Sequence, residues 1–128
     1  MIVDASAVLA LVLEEADCDV FAASLSAATS LLISPVNLFE ALTVASSRRA
    51  NGGWAVRELL EVFQIEVAAL EPRQAELAFE AHRRFGKGRH PAALNLGDCF
   101  AYALAQQHGA PLLFKGEDFR RTDVRCAV

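Results

Sequence analysis

The chain has 128 residues, 54% apolar and 22% charged, which excludes a disordered polypeptide and fits one domain whose core needs no disulfide or structural metal. Twelve Lys+Arg against sixteen Asp+Glu give a formal charge of −4, excluding a globally basic nucleic-acid binder but not a local basic patch. The three cysteines (Cys18, Cys99, Cys126) are odd in number and lack C-x-x-C spacing, so they form neither a disulfide framework nor a thiolate zinc site and suit a reducing cytosol.

Met1-Ile-Val-Asp4 is a short β-branched run ending in an acid, and Ala5–Leu13 reads as a helix capped by Asp4 or Ser6. This apolar run is no signal peptide: Asp4 precedes it, Glu14 and Glu15 follow, and no Lys or Arg lies upstream. Its nine residues also fall short of the roughly 20 that span a bilayer, so the expectation is a soluble, cytoplasmic protein with no membrane partner. A mean hydropathy of +0.29 is high for a small monomer and points to apolar surface covered by a partner. Asp17–Ala28 is Ala-rich and helical in character, and Ser30-Leu-Leu-Ile33 reads as a buried strand. Pro35 suits the start of a helix over Val36 to about Ala50; Asn51-Gly52-Gly53 ends it, and Trp54–Phe63 follows as a second amphipathic helix. Ile65–Leu70 reads as a strand and Pro72–Phe85 as a helix. Gly86–Leu96 (GKGRHPAALNL) is a loop, and Gly97–His108 is a helix with Asn95 as N-cap. Pro111–Phe114 is a strand, Gly116–Arg121 a polar turn and Val124–Val128 a short final strand. Short apolar strands alternating with helices predict a three-layer α/β/α sandwich on a mostly parallel sheet, a single domain over residues 1–128.

Ligands of parallel α/β sheets bind beyond the carboxyl ends of the strands. Asp4 ends the first strand, Asp98 lies in the first turn of the helix before the Pro111–Phe114 strand, and Asp118, with Glu117 beside it, follows that strand. Glu40 sits within an apolar helix, with Asn37 one turn back on the same face. Each acid has an ordinary account of its own. Asp4 could cap a helix, Asp98 could answer a helix dipole, Glu40 could be exposed on a helix edge and Asp118 could form a turn. A site for a hard divalent cation, which takes oxygen ligands, explains all four together with Ser6 and Asn37.

Ile2-Val-Asp4-Ala-Ser6-Ala, Asn37-Leu-Phe-Glu40-Ala, Leu96-Gly-Asp98-Cys-Phe-Ala-Tyr-Ala-Leu-Ala and Leu112-Leu-Phe-Lys-Gly-Glu-Asp118-Phe resemble, in order and spacing, the four acidic motifs of PIN domains, most of all the VapC-type ribonuclease toxins of toxin–antitoxin pairs. The resemblance runs from Ile2 to about Val124. It implies a PIN-like fold, Mg²⁺- or Mn²⁺-dependent endonucleolytic cleavage of RNA, a homodimer and a cognate antitoxin. By motif match Asp4, Glu40 and Asp98 are site residues, while the fourth position is open between Glu117 and Asp118, with Asp118 favoured. In that chemistry Asp4 and Asp98 are the principal metal ligands, Glu40 and Asp118 complete the site directly or through water, and Ser6 and Asn37 orient the carboxylates by hydrogen bonds.

An acidic pocket repels RNA, so cations must offset it. Arg83, Arg84, Lys87 and Arg89, flanked by His82 and His90, form one group; Lys115, Arg120, Arg121 and Arg125 form another. Arg84, Lys87, Arg89 and Lys115 are the expected RNA contacts, with ordinary solvated charges as the alternative. His82, His90 and His108 are not spaced as a catalytic set, and His108 fits a helix C-terminus. Phe39, Phe85, Phe100 and Phe114 are expected in the core, Tyr102 faces either site or core, and Trp54 is a possible partner anchor. The helical hairpin Val36–Ala50 and Trp54–Phe63 is the expected dimer surface. A haloacid-dehalogenase-type phosphatase would need an Asp where Ser6 stands, and a phosphoacceptor receiver domain would need an acid paired with Asp4; neither is present. The alternative retained is a catalytically silent PIN-fold module that only binds a protein.

Overall fold

Ile2 and Val3 face opposite sides of one sheet, and that alternation divides the hydrophobic residues into two cores. The computed structural model describes residues Met1–Val128. Four strands, β1 (Ile2–Val3), β2 (Leu31–Ile33), β3 (Ile65–Val67) and β4 (Leu112–Leu113), lie in the order β3-β2-β1-β4. All pairings are parallel, with Ile2 opposite Leu32 and Leu112, and Val3 opposite Leu113. Helices α1 (Ala5–Val12), α2 (Cys18–Ala27), α3 (Pro35–Arg48) and α4 (Gly52–Phe63) pack with Val3, Ile33 and Leu113. Helices α5 (Pro72–Phe85) and α6 (Leu96–His108) cover Ile2 and Leu112 on the other face. The result is the expected α/β/α sandwich.

Local signals place the helix starts. Ser34 accepts the Val36 N–H, with Pro35 pre-set at the first helical position of α3. Asn95 and Asp98 form a reciprocal capping box at α6, each side chain accepting the other's backbone N–H at 2.9 Å. Strand order reverses direction at β1, which lies between β2 and β4, so the crevice beyond its carboxyl end is the topological switch point.

Several expectations are corrected. Val124–Val128 is not a strand but one parallel bridge between Cys126 and Leu112, because Phe119–Arg121 forms a 3-10 turn and the Thr122 hydroxyl, donating to Phe119 O and accepting from Val124 N, bends the chain just before it. The third strand stops at Val67, leaving Leu70 exposed. Phe39 is 66% exposed rather than core: Asn37 and Ala41 occupy the buried face of α3, and Phe39 falls between them on the opposite side. Phe85 and Phe114 are buried, and Phe100 is half-buried.

Gly52 lies inside α4, not in a terminating turn; Asn51, at φ 60°, makes the left-handed turn before it. A Cβ on Gly52 would sit 2.1 Å from the Ala45 carbonyl oxygen, so α3 and α4 touch backbone to backbone there. Alanine is ordinarily the better helix former, yet Gly52→Ala should destabilise the protein by about 1–3 kcal/mol through overpacking. Urea unfolding measures this, and an unchanged or raised midpoint would show that the two helices do not approach so closely.

Candidate active site

Asp4 follows β1 and caps α1, yet it is only 4% exposed and its two carboxylate oxygens are held separately. Oδ2 accepts from the Ser6 N–H at 2.9 Å and the Ser6 hydroxyl at 2.5 Å, while Oδ1 accepts from Asn37 Nδ2 at 3.0 Å. The Ser6 hydroxyl itself accepts the Lys115 N–H, which ties the Asp4 carboxylate to the segment after β4. Burial pushes the Asp4 carboxyl above its ordinary range, and the Ser6 and backbone hydrogen bonds oppose that shift.

Asn37 is fully buried and donates a second hydrogen bond from Nδ2 to the Gly97 carbonyl at 3.1 Å. It thereby joins α3, the end of β1 and the first turn of α6. Gly97 explains how tightly they meet: a Cβ there would lie 2.2 Å from Glu40 Oε2. The Glu40 carboxylate thus rests against the α6 N-terminus one residue before Asp98. Burial first, then the nearby Asp4 charge, raises the Glu40 pKa. Asp98, half-buried in its capping box, is pushed up to about 7 by burial and by the charges of Asp4, Glu40 and Asp118, against the hydrogen bond from Asn95. Asp118 is exposed at the start of the 3-10 turn and reaches Asp98 through its field alone. Glu117 is 74% exposed and faces Arg120 at 3.7 Å.

The structure therefore brings Asp4, Glu40 and Asp98, with Asp118 at the rim, to one end of the sheet. No three of the chain's His, Cys, Asp and Glu side chains stand close enough to form a finished metal-ligand shell. The donor chemistry still suits a hard divalent cation: all donors are carboxylate oxygens, and the neighbouring carboxylates add to burial in raising the pKa values of Glu40 and Asp98.

The expected cations divide into two kinds. The Arg84 guanidinium lies 4.6 Å over the Phe85 ring and donates to Asp123 at 2.7 Å and to the Tyr102 hydroxyl. Lys115 donates to Glu15 and, at 2.8 Å, to Asp17 across the α1–α2 turn. Lys87 and Arg89, in the α5–α6 loop, form no ion pair. Tyr102 faces the core and donates to Asp123 at 2.6 Å.

Sequence reasoning passed over three contributors: Gly97, the acceptor for Asn37 and the space for Glu40; the Lys115 backbone N–H behind Ser6; and the Arg84–Tyr102–Asp123 cluster. Only the first left a readable mark, a glycine inside the first turn of a helix beside an acid.

Acids grouped at the switch point of a four-stranded parallel sheet match a known pattern. The PIN domain model matches residues 1–125, and the chain belongs to the PIN-domain family. Its relatives narrow this to the VapC branch. It is 41% identical over 125 residues to ribonuclease VapC30 of Mycobacterium tuberculosis, covering 97% of this chain and 95% of that one. It is also 41% identical over 125 residues to a ribonuclease VapC of Mycolicibacterium smegmatis, covering 97% of each. The crystal structure of Mycobacterium tuberculosis VapC20, described as a toxin cleaving the sarcin-ricin loop, superposes with a TM-score of 0.76 at 18% identity, covering 96% of this chain and 95% of that one, a likeness of fold. No helix is long and apolar enough to cross a membrane.

The raised Asp98 pKa carries a sign. Ionising Asp98 costs more in the folded chain than in the unfolded one, so its contribution to stability is fully present below about pH 4 and declines as pH rises towards 7. Urea unfolding of cation-free protein should show that decline, and Asp98→Asn should make it shallower; an unaltered slope would show that folding does not hold the Asp98 carboxyl above its ordinary range.

Proposed function

We propose that the chain is a Mg²⁺- or Mn²⁺-dependent endoribonuclease and the toxin of a toxin–antitoxin pair. One observation carries the reading: Asp4, buried and fixed at both oxygens, shares the switch point with Glu40, Asp98 and Asp118. Relatives at 41% identity that are named ribonucleases support it.

Hydrolysis of a phosphodiester needs an activated water and relief of charge at the phosphate. A divalent cation, when bound, lowers the pKa of water and offsets charge on the attacking and leaving oxygens. Asp4 and Asp98 would hold it, with Glu40 and Asp118 completing the oxygen set directly or through water. Ser6 and Asn37 keep the Asp4 oxygens aimed, since hydrogen bonds behind a ligand fix its orientation. Lys87 and Arg89 would hold the strand by its phosphates, being free of carboxylate partners. The substrate is RNA, the cell compartment the cytoplasm, and the inhibitor a cognate antitoxin. A homodimer would form through α3 and α4, where Trp54 and Val62 are exposed.

Cleavage of mixed cellular RNA, with and without chelator, tests the core of this reading. Activity should require Mg²⁺ or Mn²⁺, and Asp4→Asn should abolish it; a folded, fully active Asp4→Asn protein would end the metal-nuclease assignment. No cleavage under any divalent cation would favour a catalytically silent binding module. Asn37→Ala should cost about 10–100-fold. Asp98→Asn should cost more than Asp118→Asn, and Asp118→Asn more than Glu117→Gln, because the capping box fixes Asp98, Asp118 sits in an exposed turn and Glu117 faces Arg120.

Two further measurements address the partners. Replacing Lys87 and Arg89 with Ala should lower the log–log salt slope of RNA binding by about 0.7 per contact; an unchanged slope removes the loop from the RNA path. Light scattering at micromolar concentration should report a dimer, and a monomer there would count against the α3–α4 interface.

A further inference from the structure

We propose that the cleft between α5 and α6 receives one unpaired base of the RNA strand, beside the phosphate held at the acidic cluster. The proposal rests on the ribonuclease reading above and adds a binding site to it. The cleft has a volume of about 450 Å³, within the size range of small-molecule sites. Phe79 on α5 and Phe100 on α6 supply aromatic surface, and Leu96 adds an apolar lip. Phe79 is 62% and Leu96 68% exposed, so the rest of the chain leaves this apolar surface uncovered.

The rim is polar and positive. Lys87 and His82 line it, as does Asn95, whose side-chain oxygen accepts the Asp98 N–H and whose side-chain NH₂ meets no acceptor within the chain. Charge makes the choice of occupant. Arg83, Arg84, Lys115 and Arg120 are each matched by a carboxylate, whereas Lys87 and its neighbour Arg89 are not. Aromatic walls with an unmatched cation at the mouth complement a base joined to its phosphate, because bases stack on aromatic faces and phosphates seek cations.

Position supports the same occupant. Asn95 and Leu96 line both this cleft and an adjoining one of about 280 Å³ that contains Phe39 and Glu40. A strand whose phosphate lies at Asp98 therefore has a neighbouring base within reach of the cleft, since Asp98 is the second residue after Leu96 in the same helical turn.

The test uses the full chain and a short single-stranded RNA spanning a cleavage position mapped in mixed cellular RNA. Binding is read by fluorescence anisotropy with chelator present. Phe79→Ala should raise Kd by about fivefold or more, in line with base–aromatic stacking, and Phe79→Trp should restore it. In a series of RNAs each lacking one base, a single position next to the cleaved bond should weaken binding to the unaltered chain by a similar factor. The same RNA should bind Phe79→Ala no more weakly than the intact RNA does. Full-strength binding by Phe79→Ala, or a series with no such coupled position, would overturn the proposal. So would a Phe79→Ala protein that binds RNA normally but changes its mass by light scattering, which would make the cleft a contact between copies. Failure of the ribonuclease reading looks different, as no divalent-dependent cleavage by the unaltered chain; the base-deletion series on whatever RNA is bound then still decides the cleft.

Discussion

The Asn37 side chain is the contact on which the rest of the site depends. It comes from α3, carries two N–H groups, and uses them on an oxygen of Asp4 and on the carbonyl of Gly97. Turning the amide over would set its oxygen against two acceptors, so the network itself fixes its orientation. Its own carbonyl oxygen is buried without a donor, a loss of about 1–3 kcal/mol in such settings. The fold carries that cost at the one point where a strand end and two helices must be held in register. Gly97 completes the arrangement by leaving the space that Glu40 fills.

Charge is arranged as deliberately as shape. Burial, and after it the neighbouring carboxylates, raise the pKa values of Glu40 and Asp98, while most of the cations that might relieve them are engaged elsewhere. Lys115 joins the α1–α2 turn to the segment after β4, and its backbone N–H supports Ser6. Arg84 holds the C-terminal segment to α5 through Asp123, where Tyr102, with a pKa pushed up to about 12 by burial first and then by Asp123, stays a hydroxyl donor. These cations support the walls of the site. Lys87 and Arg89 alone of the expected RNA contacts remain unmatched, in a loop where Gly88 adopts φ +83°.

The architecture was legible because its signals were local. Pro35 after Ser34, Pro72, and Asn95 three residues before Asp98 each mark a helix start by backbone chemistry, and the short apolar strands between helices left a parallel sheet as the economical arrangement. Asp4, Glu40 and Asp98 were legible as a set because their spacing matched a family pattern. What escaped was whatever depended on contacts between distant segments. Whether Phe39 is inside or outside depends on which face of α3 meets its neighbours, and its apolar sequence setting says nothing of that. Arg84 and Lys115 look like free cations until Asp123, Glu15 and Asp17 are brought to them. The single bridge at Cys126 depends on the bend at Thr122, which no propensity reveals.

The order β3-β2-β1-β4 has a consequence for how the protein is made. Asp4 leaves the ribosome well ahead of the other acids, but its strand gains its second neighbour only when Leu112–Leu113 arrives, and Ser6 is tied down only by Lys115 after that. The acids come from segments near residues 4, 40, 98 and 118, and none of these segments can set its own position. Domains assemble from the N-terminus during synthesis, but contacts this far apart in sequence close late. A nascent chain from which β4 has not yet emerged therefore has its acids dispersed along its length, and the cluster comes together only once Leu112–Leu113 and the turn that carries Asp118 have joined the sheet.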